Sequence, residues 1–428
     1  MAETLNTTLF ANAMKDDYYK SEIIKQLNDN QPLVSLFTKD VEGFSSGGNS
    51  LIASIKTGRN FAVRSTGDGG LLPAPKSPVY RKLNIPKRYT YGGVQISGPA
   101  MKQSAKSSAT FGNALRELTS DLVESIDKFR SRVLSGYGRG ILALVNGAGS
   151  GTTTLTVDTP GGYAGSINGN RFLNAGMDIA IVDPATGTIA SFRTITAINT
   201  AGTQVTLNAA VSAADAPNDY AVVMAATDGT DIESSLDLEP MGLFGMIDDA
   251  SFVATYFSVL RSANPILNST VIPTVGTLTA MKLQRGMDGV NRKSGKMVNV
   301  HLMDHSVRRE YLGVREADFR YIDDKFAPDI GFDGGAMNGE IKYTKSKVLP
   351  IADFPYGYWM GVWKEALVRT VDSEGEWINE DGAILSRLPN RDIFIAQFRI
   401  FENFWNKMPN SGFRLDGVSA TIDVDHIF

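Results

Sequence analysis

Between Tyr80 and Ser97 the chain reads YRKLNIPKRYTYGGVQIS, a basic, aromatic, turn-punctuated stretch. A helical pattern follows soon after. Over 107–135, Phe111, Leu115, Leu118, Leu122, Ile126, Phe129 and Val133 recur three or four residues apart. That spacing predicts one continuous apolar face of about seven turns. Arg116, Glu117, Asp121, Glu124, Lys128 and Arg130 occupy the other faces, and Gly136 and Gly138 stop the helix.

Upstream, 47–106 reads as extended and turn-rich, punctuated by Gly47-Gly48, Gly67, Gly69-Gly70, Pro73, Pro75, Pro78, Pro86 and Gly92-Gly93. Short alternating runs such as Leu51–Ile55 and Tyr89–Tyr91 fit strands. The stretch is poor in apolar residues and is expected to order only against another surface. The first 46 residues form an arm, with Ala13, Tyr19, Ile23, Ile24 and Leu27 striping a helix over 12–27 that Gln31-Pro32 ends. Leu33, Val34, Leu36 and Phe37 then make an apolar peg that needs cover from the body or from a neighbour.

Downstream, 146–228 changes character, with Thr, Ala, Gly and Asn dominant and no lysine between Lys128 and Lys282. Candidate strands are Thr153–Val157, Asp178–Val182, Phe192–Ile198, Gln204–Leu207 and Tyr220–Met224, which suits a small barrel or sandwich. Its composition differs from both flanks, so it reads as an insertion whose removal leaves the rest foldable. Residues 229–428 mix helices, at Phe252–Arg261, Thr277–Arg285 and Ser306–Leu312, with strands. The strands are Val298–Met303, Ile341–Val348, Tyr358–Trp363, Ala366–Val371, Ile393–Phe401 and Val418–Val424. The fold class is therefore α+β.

Composition excludes several functions. The 428 residues carry 42 Lys+Arg against 46 Asp+Glu, a net −4 that is neither histone-like nor a disordered acidic solvator. Absence of cysteine removes disulfides, thiolate zinc sites and cysteine nucleophiles. No apolar run reaches 18 residues, so no membrane helix is expected. Lys15, Asp16 and Asp17 stand where a signal peptide would be apolar, pointing to a protein that stays in, or assembles in, the cytosol.

No catalytic or metal constellation stands out. His301 and His305 are four apart, but Leu302 replaces the glutamate a zincin needs and the run reads as a strand. The glycine-rich runs 136–140 and 147–151 match no phosphate loop, and no G-x-S-x-G elbow exists. Asp248-Asp249 and Asp323-Asp324 read as solvated loop charges. No enzyme activity, cofactor or metal is expected.

Charge is unevenly placed. From Gly70 to Leu115 there is no acid, while Lys76, Arg81, Lys82, Lys87, Arg88, Lys102 and Lys106 are all cationic. Between Arg193 and Arg261 there is no cation, while Asp215, Asp219, Asp228, Asp231, Glu233, Asp237, Glu239, Asp248 and Asp249 are acidic. Opposite patches steer docking between copies of one chain. The contact candidates are Lys76, Arg81, Lys82, Lys87 and Arg88 on one side, with Asp231, Glu233, Asp237, Glu239, Asp248 and Asp249 on the other. Leu33, Val34, Leu36 and Phe37 would add an apolar anchor. The alternative is nucleic-acid binding by the basic loop 70–106, with Tyr80, Tyr89 and Tyr91 stacking bases.

The order of parts resembles the major capsid proteins of tailed bacteriophages, the HK97-like fold. Residues 80–97 look like its E-loop, and Ser97–Ser104 like the junction to its spine helix. Val298–Met303 with Ser306–Leu312 resembles the A-domain strand-then-helix step, and Arg391–Phe401 the closing P-domain strand. The resemblance is architectural and covers nearly the whole chain. It divides the chain into an N-arm (1–46), an E-loop (47–106), a P-domain (107–145 and 372–428), an inserted β-domain (146–228) and an A-domain (229–371). It implies a structural shell protein of the virion, assembled in the host bacterial cytoplasm. Its partners would be copies of itself as hexamers and pentamers, with room for separate scaffolding, portal and decoration proteins. Packaged double-stranded DNA would be met non-specifically on the inner face, and no membrane is involved. With 46 residues before the loop a built-in scaffold is not expected, and neither Lys82 nor Lys87 has an assignable asparagine for a covalent crosslink.

Overall fold

The computed structural model describes residues 33–40, 49–99, 102, 114–164, 167–319, 342–343, 346–379, 384–388 and 390–422. The helix expected over 12–27 lies outside them.

The strand expected at 393–401 runs on to Asn406 and forms the axis of a five-stranded sheet. Arg88–Ser97 lies antiparallel to its first part, from Ser97 opposite Ile393 to Arg88 opposite Glu402. Leu367–Trp377 flanks its second part, and Thr38–Asp40 adds on in parallel to Val368–Thr370. The long helix is described from Ala114 to Leu134 and packs its apolar stripe on Arg88–Ser97. Gly92 makes this approach possible, since a Cβ there would stand 2.9 Å from Leu122 Cδ1 and 3.2 Å from Ile126 Cδ1. The helix is locked from its other turns by Glu402, a buried carboxylate that receives Arg130 Nε at 2.8 Å and Arg369 Nε at 2.5 Å.

The β-block forms a seven-stranded sheet that returns on itself, because Ala221–Thr227 pairs with both Ile141–Val145 and Asp178–Val182. It begins at Ile141 and ends with Ile232–Ser234, wider than the expected 146–228. Its strands alternate with period two. Ile179, Ile181 and Val222 point into the block's own core. Ala180, Val182, Ala221 and Val223 point into the main core, beside Phe244 and Tyr358. Arg171 sews the two together, reaching Asp304 at 3.3 Å and the Phe354 carbonyl at 3.0 Å and stacking on Tyr356. One face of the block is thus also a wall of the body, which argues against a freely removable insertion.

The remaining sheet has six strands in the order Thr270–Ile272, Phe413–Leu415, Trp359–Val362, Val300–Met303, Ser346–Pro350, Lys342–Tyr343. Helices Ala280–Ser294 and His305–Phe319 accompany it, the first capped by Thr279 accepting from the Lys282 N–H. The sheets do not part at 371/372 as expected: Leu367–Trp377 crosses that boundary, and Phe413–Leu415 belongs to the six-stranded sheet.

Two further elements differ from expectation. Phe252–Arg261 is not a helix but the small hairpin Thr255–Tyr256 with Val259–Leu260, turned at Phe257 with φ 45°. Past Leu415, Val418 makes a single bridge to Gly276 and no strand follows over 419–422.

Two outcomes follow from this packing. Gly92→Val should push the long helix off its strand and lower subunit stability by about 1–3 kcal/mol, read as a lower urea midpoint of dispersed subunits. Excising 146–228 should give aggregated protein, because it strips cover from Phe244 and Tyr358; a soluble, cooperatively unfolding product would show the block to be separable after all.

Candidate assembly surface

Ser50–Gly58 and Val79–Pro86 form a two-stranded ribbon that joins no other sheet among the described residues. At its foot one face is inside the molecule. Leu83 and Ile85 are buried, with Leu51, Ala53 and Ile55 beside them. The 255–260 hairpin clasps that foot, with Ser258 Oγ accepting from the Asn84 N–H at 3.0 Å and donating to the Lys82 carbonyl at 3.0 Å. Further out, both faces meet solvent. Beyond Gly58, residues 59–78 carry no regular strand or helix. The Gly70 N–H to Gly67 carbonyl bond closes a turn there, and Arg64 Nη2 holds the Leu71 carbonyl at 2.5 Å. The result is a projecting finger with a fixed root and an uncovered end.

The structure separates the contact candidates into two groups. Lys76, Arg81 and Lys82 are exposed on the finger. Lys87 instead pairs with Asp372 at 2.8 Å in its own chain. Arg88 is half-buried at the root, where burial pulls its pKa down against the opposing pull of Asp237. Among the acids, Asp231, Glu233 and Asp249 are exposed. Asp237 is engaged by Arg139 Nε at 2.9 Å. Glu239 is buried against Arg132.

Asp248 is fully buried and takes Arg414 Nη1 at 3.1 Å, Ser251 Oγ at 2.6 Å and the Val253 N–H at 2.9 Å. Burial pushes its carboxyl up, but these donors outweigh burial and hold it below the usual range. Arg261 closes the knot by donating to the Asp248 and Gly245 carbonyls. Glu239 and Asp248 are thus interior braces, not surface contacts. The apolar peg is corrected likewise: Leu33, Leu36 and Phe37 are buried in the main core, Val34 packs against it, and Phe37 meets the Phe404 ring edge-on at 5.0 Å.

Sequence reading missed the character of the fingertip. Phe61 is 76% exposed, Val63 85%, Leu71 82% and Leu72 84%, all on the stretch read as extended, turn-rich and poor in apolar residues. Leu71-Leu72 set between Gly69-Gly70 and Pro73 was the available signal, an apolar pair with no strand or helix period to bury it.

Neither histidine forms a reactive site. His301 is buried in a strand, accepts from Trp359 Nε1 at 3.2 Å, and is pushed down to about 4 by burial, so it stays neutral. His305 begins the following helix. Among the described residues no cluster of acids and histidines suits a metal ion, and no helix is long and apolar enough to cross a membrane.

No sequence family matches the chain, and no curated protein does either. Solved structures do. The capsid asymmetric unit of cyanophage A-1(L) matches over 98% of this chain and 99% of its own, at 10% identity and a TM-score of 0.51. The capsid of the native GTA particle matches over 97% and 100%, at 9% identity and a TM-score of 0.51. That of the empty GTA particle gives the same coverage and identity with a TM-score of 0.52. The chain has the HK97-type capsid fold. Of the parts that the resemblance names, the E-loop falls on this finger and the spine helix on Ala114–Leu134.

The two groups of acids should behave differently on substitution. Asp248→Ala leaves Arg414 with Asp416 as its remaining carboxylate and takes the acceptor from the Ser251 hydroxyl and the Val253 N–H; it should cost about 1–3 kcal/mol, read as a lower urea midpoint. Asp231→Ala with Glu233→Ala should leave the urea midpoint of dispersed subunits where it was.

Proposed function

We propose that this chain is a structural capsid subunit that assembles, as hexamers and pentamers of itself, into a closed shell around phage double-stranded DNA. The fold supports the reading, and the observation that carries it is the E-loop: a ribbon braced at its root, ending in apolar side chains that nothing in its own chain covers among the described residues. Exposed apolar patches mark interaction surfaces. The ribbon is already paired within the subunit, so only the tip has still to be ordered on docking. A finger reaching from each subunit to the next is a heterologous contact, the kind that closes into rings.

This reading places the protein in the virion, made and assembled in the host bacterial cytoplasm, as a non-enzymatic component. Scaffolding, portal and decoration proteins, and DNA held without sequence preference on the inner face, belong to the same reading. The nucleic-acid-binding alternative lacks support. Tyr89 and Tyr91 meet Phe401 edge-on at 4.9 and 6.0 Å but, like Tyr80, stay exposed, so it is the capsid fold and not these rings that favours the shell reading.

Deleting 59–78 and closing the ribbon with a short turn should leave soluble, folded subunits that form no closed particles in negative-stain images. Intact shells from that variant would overturn the assembly role of the E-loop.

A further inference from the structure

A stiff finger with an uncovered end raises the question of where that end rests. Its apolar residues Phe61, Val63, Leu71 and Leu72 are interspersed with the exposed cations Arg59, Arg64 and Lys76. The complementary surface would be apolar, acidic and free of competing cations.

One region of the described surface meets all three conditions. Ile232–Ser234 is the terminal strand of the seven-stranded sheet, hydrogen-bonded along one side to Ala225–Thr227. Ile232 and Leu238 are exposed there. Asp231 and Glu233 flank Ile232 and are exposed. Asp228 points its carboxylate at the N–H groups of Asp231 and Thr230, at 2.8 Å each, and these bonds hold its pKa low. Competing cations are absent from the stretch itself, which has no Lys or Arg between Arg193 and Arg261. Arg139, the cation paired with its Asp237, is already engaged there and by the Pro184 carbonyl.

The same chain cannot bring these two patches together. Asn403 Nδ2 donates to the Pro86 carbonyl at the foot of the finger at 2.6 Å, and its Oδ1 accepts from the Met241 N–H at 3.1 Å, so the chain just past the acidic edge lies at the root. The tip lies at the far end of a nine-residue strand, about 30 Å away at an extended rise, on a ribbon hydrogen-bonded along its length. Folding back would break that pairing. The two complementary patches therefore call for two copies of the chain.

We propose that the E-loop tip of one copy seats on the Ile232–Ser234 edge of the next, with Phe61, Val63, Leu71 and Leu72 covering Ile232 and Leu238 and with the tip cations facing Asp231 and Glu233. The proposal rests on the shell-forming reading and specifies its acceptor. It also gives the open side of a short edge strand a cover, which exposed sheet edges otherwise need.

The chain contains no cysteine, so a crosslink test has no background. Shells carrying Leu72→Cys with Ile232→Cys, once oxidised, should run as a ladder of covalent oligomers on a non-reducing gel. Leu72→Cys with Ile384→Cys, which pairs the tip with a different exposed apolar site, should not. Asp231→Lys with Glu233→Lys should lower the yield of closed particles about tenfold through like-charge contact. Adding Arg59→Glu and Arg64→Glu to that variant should restore much of the yield. Shells that form without the 72–232 ladder, a ladder from the 72–384 pair instead, or a yield indifferent to the acidic reversals would each overturn the acceptor. If shells still require residues 59–78 in those cases, the shell-forming reading survives and only the acceptor is lost. If shells form without 59–78, that reading itself falls.

Discussion

The buried carboxylate of Glu402 holds the architecture together. A charge taken out of water is costly unless it is paired and fully hydrogen-bonded. Here it is met by Arg130 from the spine helix through both Nε and Nη2, and by Arg369 from the neighbouring strand. Helix, strand and axial strand are tied at one point, and Arg88 sits opposite Glu402 in the register. Since Val79–Pro86 runs into Arg88–Ser97 across Lys87, whatever fixes the second strand also fixes where the finger leaves the body. Lys87 with Asp372 and the Ser258 clasp repeat the constraint from two other sides. The finger's direction is thus a property of the folded subunit.

Much of this was legible in the sequence, for a physical reason. The spine helix and outer strands of the β-block such as Thr152–Asp158 bury one face each, so their periods of 3.6 and 2 are written locally. What failed was information carried at long range. Phe252–Arg261 has apolar residues at near-helical spacing, yet Phe257 adopts a left-handed conformation and Tyr256 is called away to the Asn406 carbonyl. Phe413–Leu415 is too short to show a period, and its place inside the six-stranded sheet comes from partners at Thr270–Ile272 and Trp359–Gly361.

Among the candidate contacts, charge could be counted but burial could not. Asp248 and Asp249 are neighbours in sequence. One sits in the interior because Arg414, far along the chain, reaches it, and the other lies on the surface. The arm peg was ambiguous in the same way: four apolar residues in a row require cover, and only the fold reveals that Phe404 and the main core provide it.

The composition of the fingertip reconciles two opposing demands. Four large apolar side chains in solvent would make free subunits adhere to one another indiscriminately. Charged residues flanking an apolar segment suppress that by keeping like segments apart. Arg59, Arg64 and Lys76 outnumber Asp68 at every tip, so the net charge there is positive and tip meets tip unfavourably, whereas a surface of the other sign is favoured. The apolar groups then contribute only once the charges have set the register. A subunit with a net charge of −4 carries little overall repulsion. Selectivity between right and wrong contacts must therefore come from where the charges stand, and the interior pairs at Asp248, Glu239 and Glu402 leave fewer surface acids to blur that pattern.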